Sequence, residues 1–495
     1  MKKLCLFLAF TFVAFAADDL GVIDFPNSGA EAAQKDFVRG VLLLHNFQYP
    51  DAAKAFQAAQ QADPGFALAY WGEAMTYNHG LWMEQDLEKA RAVLAKLAPD
   101  AAARIGKAPT EREKGYLRAV EALYGEGSKL ARDLAYMEEM RQLQQSHPGD
   151  MEAASFYALS ILASAEGERD FRTYMKAGAI ALGLAEKNPR HPGAIHYVIH
   201  SFDDPIHAPL GLAAARAYAE IAPAATHALH MPSHIFLALG MWDDVVASNI
   251  ASFEASKGRS YHALHWLGYG YLQQGKHAEA AKMLETMRQS AANDKSPTAR
   301  WYLAVMQAAY AVETREWKAT DFPVDTAGIE YSAVAADLFA RGASAVHAGR
   351  LDEAAQILEQ MKTGRVPVEK IVAAGGAVCH QTNSSAGISP NGLKGAAVME
   401  KQLEGMILLA KDKTADAIAV LEEAARGEDV MSLDFGPPIP VKPAHELLGE
   451  VLLDQGKFAE AREHFEQALV RAPKRALSLA GLAKAAQSAP QLAAR

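Results

Sequence analysis

Cysteine is almost missing from this chain of 495 residues: there are two, Cys5 and Cys379. Cys5 falls in an apolar leader, so the rest of the chain cannot close an internal disulfide and must be held by packing alone. An excess of basic charge is missing too. The 49 Lys and Arg face 59 Asp and Glu, a formal charge of -10, and such a chain repels phosphate backbones, which excludes nucleic acid as a partner. Beyond residue 16 no apolar run reaches the roughly 18 residues of a spanning helix, so no membrane span is expected in the mature chain. The sequence also has no Cys-x-x-Cys-His haem attachment, no glycine-rich phosphate loop, no Gly-x-Ser-x-Gly elbow and no His-Glu-x-x-His, which removes the common signatures of those chemistries.

What is present is small and apolar. Half of the residues are hydrophobic and about a fifth are alanine, the strongest helix former and small enough for helices to cross closely, so an all-α fold is expected. At the start, Lys2 and Lys3 precede the apolar run Leu4 to Val13, and Ala14-Phe15-Ala16 supplies a small-x-small cleavage pattern. This predicts a secretory signal peptide over residues 1–16, too short to span a bilayer, and a periplasmic or secreted location.

The segment Pro443 to Pro473 carries Gly449, Leu452, Ala461, Phe465, Ala468 and Pro473 at the spacing of a 34-residue helix pair. It resembles a tetratricopeptide repeat (TPR), in which small residues let helices A and B cross, large ones fill the gaps and proline ends helix B. The ladder recurs as Gly40, Ala52, Phe56, Ala59 and Pro64. Weaker copies run through Gly268, Gly275, Ala280 and Leu284, through Gly342, Gly349, Ala354 and Leu358, and through Gly405, Ala417, Leu421 and Ala424. The resemblance implies a TPR-like α-solenoid of stacked antiparallel helix pairs. It divides into a 27–315 array, a 327–495 array and a closing helix over 475–487 that shields the last repeat. Two stretches rich in glycine, proline and polar residues, 364–395 and 427–443, are too long for inter-helix turns and are expected as loop insertions, the functional reading being a segment folded over the binding face.

Histidine is the residue in excess. Nine of 17 lie between His191 and His265, at helical spacings that put each set on one helix face: His196 and His200, then His227, His230 and His234, then His262 and His265. Counted from the repeat glycines, His227, His230 and His234 take positions 2, 5 and 9 of a helix A, and His262 and His265 take positions 2 and 5 of the next. In the TPR family these positions face the concave groove. Neutral imidazole suits zinc, copper and iron, so these seven are candidate transition-metal ligands, with Asp203, Asp204 and Glu220 as nearby carboxylates. His79, Trp82, His207, Trp266 and Tyr269 are candidate ligand-binding residues beside them. His45, His79 and His347 fall near the ends of their helices and read as solvated positions at the groove rim. Pro232 must kink or restart the helix that carries His230 and His234. The segment His227 to Phe236 and the stretch Asn78 to Trp82 also resemble segments of exported bacterial TPR proteins, a resemblance that brings no activity with it.

Three functions follow as expectations. The first is an exported solenoid that binds a protein, peptide or small ligand in its groove through a histidine-bound metal. The second is a metal-dependent enzyme at the same histidines. The third is a metal-free interaction scaffold whose histidines merely line the groove.

Overall fold

The computed structural model describes residues 19–165, 169–373 and 389–488. The leader 1–16 and the Cys379-His380 pair lie outside the described residues. Helix follows helix from Glu31 to Ser488, and among the described residues the strands are one antiparallel pair, Asn78–His79 with Glu84–Gln85. Starts are set by side-chain caps: Thr110, Ser128, Asp150, Ser260 and Ser296 each accept a backbone N–H of the first turn, satisfying donors a helix end would otherwise leave bare. No helix is long and apolar enough to cross a membrane among the described residues.

Consecutive helices pack side by side through most of the chain, and the ladder residues do this work. Phe56 is fully buried between Gly40 and Gly72, where an added Cβ would stand 2.8 and 2.2 Å from its ring. Phe465 repeats the arrangement near the other end, wedged between Gly449 and Gly481 at 3.0 and 2.3 Å. A large ring from helix B therefore needs a missing side chain on its own helix A and on the next one, the packing that the sequence ladder encodes.

Three regions position the histidines. In the helix Pro192–Phe202 every residue is buried, so it is a central helix with no solvent face. The histidine-bearing segment after it breaks at Met231 into Thr226–His230 and Pro232–Ala238, with proline at the first position of the new helix, where its missing N–H costs nothing. The helix Tyr261–Gln273 then feeds two cores, Trp266 and Tyr269 into the N-terminal one and Leu264 and Leu272 into the next.

Within 364–395 the helix Leu351–Ala373 continues and the helix Pro390–Leu409 resumes; residues 374–388 lie outside the described set. The second stretch leaves the helix Thr414–Asp429 and crosses non-helically to the helix Ala444–Asp454. It is held by Arg471, which donates to the carbonyls of Met431 and Ser432, by Asn391, which donates to Ser432 O and Asp434, and by Arg169 N, which donates to Ser432 Oγ. This strap runs over the histidines. The chain end also turns inward: Trp242 Nε1 donates to Lys474 O, Ala476 N donates to Gln273, and the fully buried Arg475 reaches Tyr269, Glu313 and Glu446.

Candidate metal centre

Six of the seven candidate ligands converge as two trios. His196, His200 and His227 bring one ring nitrogen each to within 4.8 Å of one another, and so do His230, His234 and His262. His227 Nε2 stands 3.1 Å from His196 Nε2, and His230 Nε2 stands 3.2 Å from His234 Nε2. Nitrogens bound about 2.0–2.1 Å from one tetrahedral ion stand about 3.3 Å apart, so both spacings suit a shared metal. His196, His200, His230 and His234 are buried, and His227 and His262 are partly exposed.

The nitrogens on the outer side of the rings are tied down. His196 Nδ1 donates to the carbonyl of His45 at 2.7 Å, His234 Nδ1 to Asp203 Oδ2 at 2.9 Å and His230 Nδ1 to Asn249 Oδ1 at 2.7 Å. His200 Nδ1 lies 3.5 Å from the same Asp203 oxygen, and His262 Nδ1 lies 3.2 Å from the Tyr302 hydroxyl. Such outer partners fix the tautomer and aim Nε2 inward, as they do in histidine metal sites.

For His230 and His234 the tautomers can be worked out from the acceptors. Asn249 Nδ2 is spent on Val245 O, which leaves Oδ1, an acceptor only, against His230 Nδ1. Asp203 is ionised: burial would raise its pKa, but the Arg169 guanidinium at 2.6 Å and the bonds from His200 and His234 hold it well below the usual carboxylate range. Both imidazoles thus carry their proton on Nδ1, and two Nε2 lone pairs face each other at 3.2 Å with no proton between them. A proton on either ring is opposed by burial and by the other histidine, which push the pKa of His230 well below 6.5; burial lowers that of His234 too, against the pull of Asp203. A cation between the lone pairs would resolve the contact. In the first trio, His200 Nε2 is buried and has no hydrogen-bond partner.

The strap covers the groove at His234. Phe435 of the strap stacks on His234 with ring centroids 4.7 Å apart, and Trp266 stacks on the same imidazole at 4.6 Å. Beneath the strap is a cavity of about 120 Å³ lined by Asp203, His265, Trp266, Phe435 and Pro437 among others. The remaining candidates sit around the trios. Trp82 stands edge-on to His227 at 6.0 Å, and His79 stacks on Tyr49 at 4.1 Å, a layer behind it. His207 Nδ1 is 2.9 Å from Asp204, and Tyr269 is taken up by Arg475. His265 turns away from the trios towards Trp301 and Tyr302.

Sequence reading missed the second histidine centre. His45 is fully buried rather than a solvated helix end: its Nε2 lies 2.7 Å from Glu152 and its Nδ1 2.8 Å from the Tyr197 hydroxyl, while His191 Nε2 lies 3.1 Å from the other Glu152 oxygen. No local period links residues so far apart. Glu152 stays ionised, because His191 and His45 overcome the upward push of its burial.

His265 gives a clean test of burial. Burial alone pushes its pKa from 6.5 down to about 3. The unfolded chain takes up a proton below pH 6.5 while the folded chain does not, so stability rises with pH through this window and is lost as pH falls. Moving from pH 7 to pH 5 should therefore cost the native protein about 2 kcal/mol at this residue. Urea unfolding of the wild type and of His265→Leu at both pH values measures it; an equal pH dependence in the two proteins would refute it.

Stacked helix pairs carrying a buried histidine and carboxylate centre define the class of the molecule. The chain carries tetratricopeptide repeats: one tetratricopeptide-repeat model matches residues 443–475 and a second matches 261–286 and 338–360. Repeats of this family typically bind protein partners, which points at the coarsest level to an interaction scaffold. No curated protein sequence matches the chain. Among solved structures it is similar to the P58(IPK) TPR domain, with 16% identity, coverage of 94% of this chain and 99% of that one, and a TM-score of 0.24. It is also similar to the APC/C hetero-tetramer Cut9-Hcn1, with 13% identity, 93% and 78% coverage and a TM-score of 0.37. For yeast Tom70 the values are 11%, 93% and 90%, and 0.33.

Proposed function

We propose that this solenoid is the frame of a transition-metal centre held by histidine, working outside the cytoplasm after loss of residues 1–16. The observation that carries the reading is the pair of unprotonated Nε2 atoms of His230 and His234, 3.2 Å apart with their other nitrogens committed to acceptors. Zinc, copper and iron all accept imidazole. The strap over His234 favours a small ligand, reaching the metal on the side of the partly exposed His227 and His262, over a protein or peptide bound directly to the histidines.

The test is the metal content of untagged protein recovered outside the cytoplasm. At least one transition-metal ion per chain is expected, lost in His230→Ala/His234→Ala while the helical circular dichroism stays. A content under about 0.3 ions per chain, unchanged by that double substitution, refutes the metal reading and leaves the metal-free scaffold. Three protein ligands in a trio leave a coordination position open, the arrangement of catalytic rather than structural sites, and this supports an enzyme as the second reading.

A further inference from the structure

Resting on the metal reading above, we infer that the centre holds not one ion but a pair of copper ions, one on each trio of imidazoles, spaced to share one small bridging ligand of the size of azide or dioxygen. The juxtaposition that points to it is the union of two complete nitrogen trios across one carboxylate. His200 of the first trio and His234 of the second both turn Nδ1 to Asp203 Oδ2, at 3.5 and 2.9 Å. These two also form a ligating group with Asp203 in their own right. Across the boundary the His200 and His234 rings are 5.5 Å apart and the His227 and His230 rings 6.4 Å apart. Each trio has its own close Nε2 pair, so one ion cannot satisfy both. An ion in the second trio alone would leave His200 Nε2, already buried and without a partner, facing nothing.

The donor set selects copper. The six inward donors are neutral nitrogens, which excludes calcium and magnesium, ions that take oxygen. The fixed charges beside them are Asp203 and Asp204 against Arg169, whose guanidinium lies 2.6 Å from the first and 3.4 Å from the second, a net of one negative charge. Two divalent ions would bring four positive charges into a buried site with little to balance them, a large desolvation cost. Univalent copper halves that charge and is satisfied by three neutral nitrogens, whereas zinc stays divalent and fills the open position with a fourth ligand such as water. In its divalent state copper also binds nitrogen donors most tightly of the first-row ions. A bridging anion offsets part of the remaining positive charge when both ions are divalent.

The experiment loads the full mature chain with copper(I) under anaerobic conditions, removes excess by a chelator, and counts copper before and after oxidation. Two ions per chain are expected. In the oxidised, azide-treated protein the electron paramagnetic resonance signal should account for well under half of the copper, because spins that share a bridge couple. His227→Ala and His262→Ala, at the two partly exposed ligands, should each drop the count to about one ion and restore a signal that accounts for all of it. One ion per chain in the wild type, lost in either variant, would overturn the pair and leave the metal reading standing. No copper and no other transition metal would sink both. Two ions with a full, uncoupled signal would overturn the bridge, and a chain that takes two zinc ions but no copper would overturn the choice of metal. The wild-type count and signal decide the question even if a variant fails to fold.

Discussion

Replacing Asp203 by alanine is expected to cost about 3–5 kcal/mol of folding free energy, the range for breaking a buried ion pair from one side, and to weaken the metal binding proposed for the histidine trios. Asp203 is buried and accepts from Arg169 Nη1 at 2.6 Å and from His234 Nδ1 at 2.9 Å. Without the carboxylate, Arg169 keeps only Asp204 at 3.4 Å as an ionic partner and the carbonyls of His200 and Ser201 as acceptors. His234 then loses the group that fixes its tautomer. Loss of such an outer partner weakens metal binding about 10- to 100-fold. The double substitution Asp203→Ala/Arg169→Met separates the two effects: it removes the orphaned charge and should recover most of the stability, but it cannot restore the metal binding. Urea unfolding and metal competition on the same samples read both. A single substitution that costs under about 1 kcal/mol and leaves metal affinity intact would show that Asp203 organises nothing.

The second large effect lies at the chain end. Arg475 is fully buried, donates through Nε and Nη2 to the two oxygens of Glu446 at 2.7 and 3.0 Å, and pairs with Glu313. Lys442 reaches the same Glu446 at 3.0 Å, and the two cations hold that carboxyl well below its usual range despite burial. Glu446→Ala leaves two buried cations with Glu313 and Glu450, and is expected to cost about 3–5 kcal/mol. It should also loosen residues 473–488 from the helix Tyr261–Gln273. Limited proteolysis near Lys474 and the fluorescence of Trp242, whose indole N–H is bound to the Lys474 carbonyl, would report the release. Because Glu446 is no part of the histidine trios, the metal uptake proposed for them should not change; loss of that uptake without release of the chain end would contradict the role given to Glu446.

The repeat ladder was legible because its physics is local. Gly40 and Phe56, or Gly449 and Phe465, meet within one helix pair, so spacing alone encodes the contact. The histidine pairs at one-turn spacing were legible for the same reason, and the break forced by Pro232 leaves His230 and His234 on one side. Position on a helix did not decide everything: His262 and His265 are three residues apart, yet one meets His230 at a ring separation of 4.3 Å and the other meets Trp301. Asp203 could be named as a neighbour but not as the anchor of both trios. Arg169 and Asn249 left no signal at all, since each acts across tens of residues or more, and Phe435 was legible only as part of the 427–443 stretch expected over the binding face, not as the ring that stacks on His234. The same holds for Glu152, whose partners His45 and His191 lie 107 and 39 residues away. Such contacts come from the path of the superhelix, which no single repeat contains.

The inward turn of the last repeat changes how the molecule must be assembled. In an open solenoid each repeat leans only on its neighbours, and order can spread from any point or fray from either end. Here Arg475 and Tyr269 are 206 residues apart in sequence, so the array behaves like an arch whose last stone locks the middle. In whichever compartment it folds, the chain emerges N-terminus first, so the histidine helices exist before the strap and the closing helix, and the side of His234 that Phe435 covers stays open until the arch is finished.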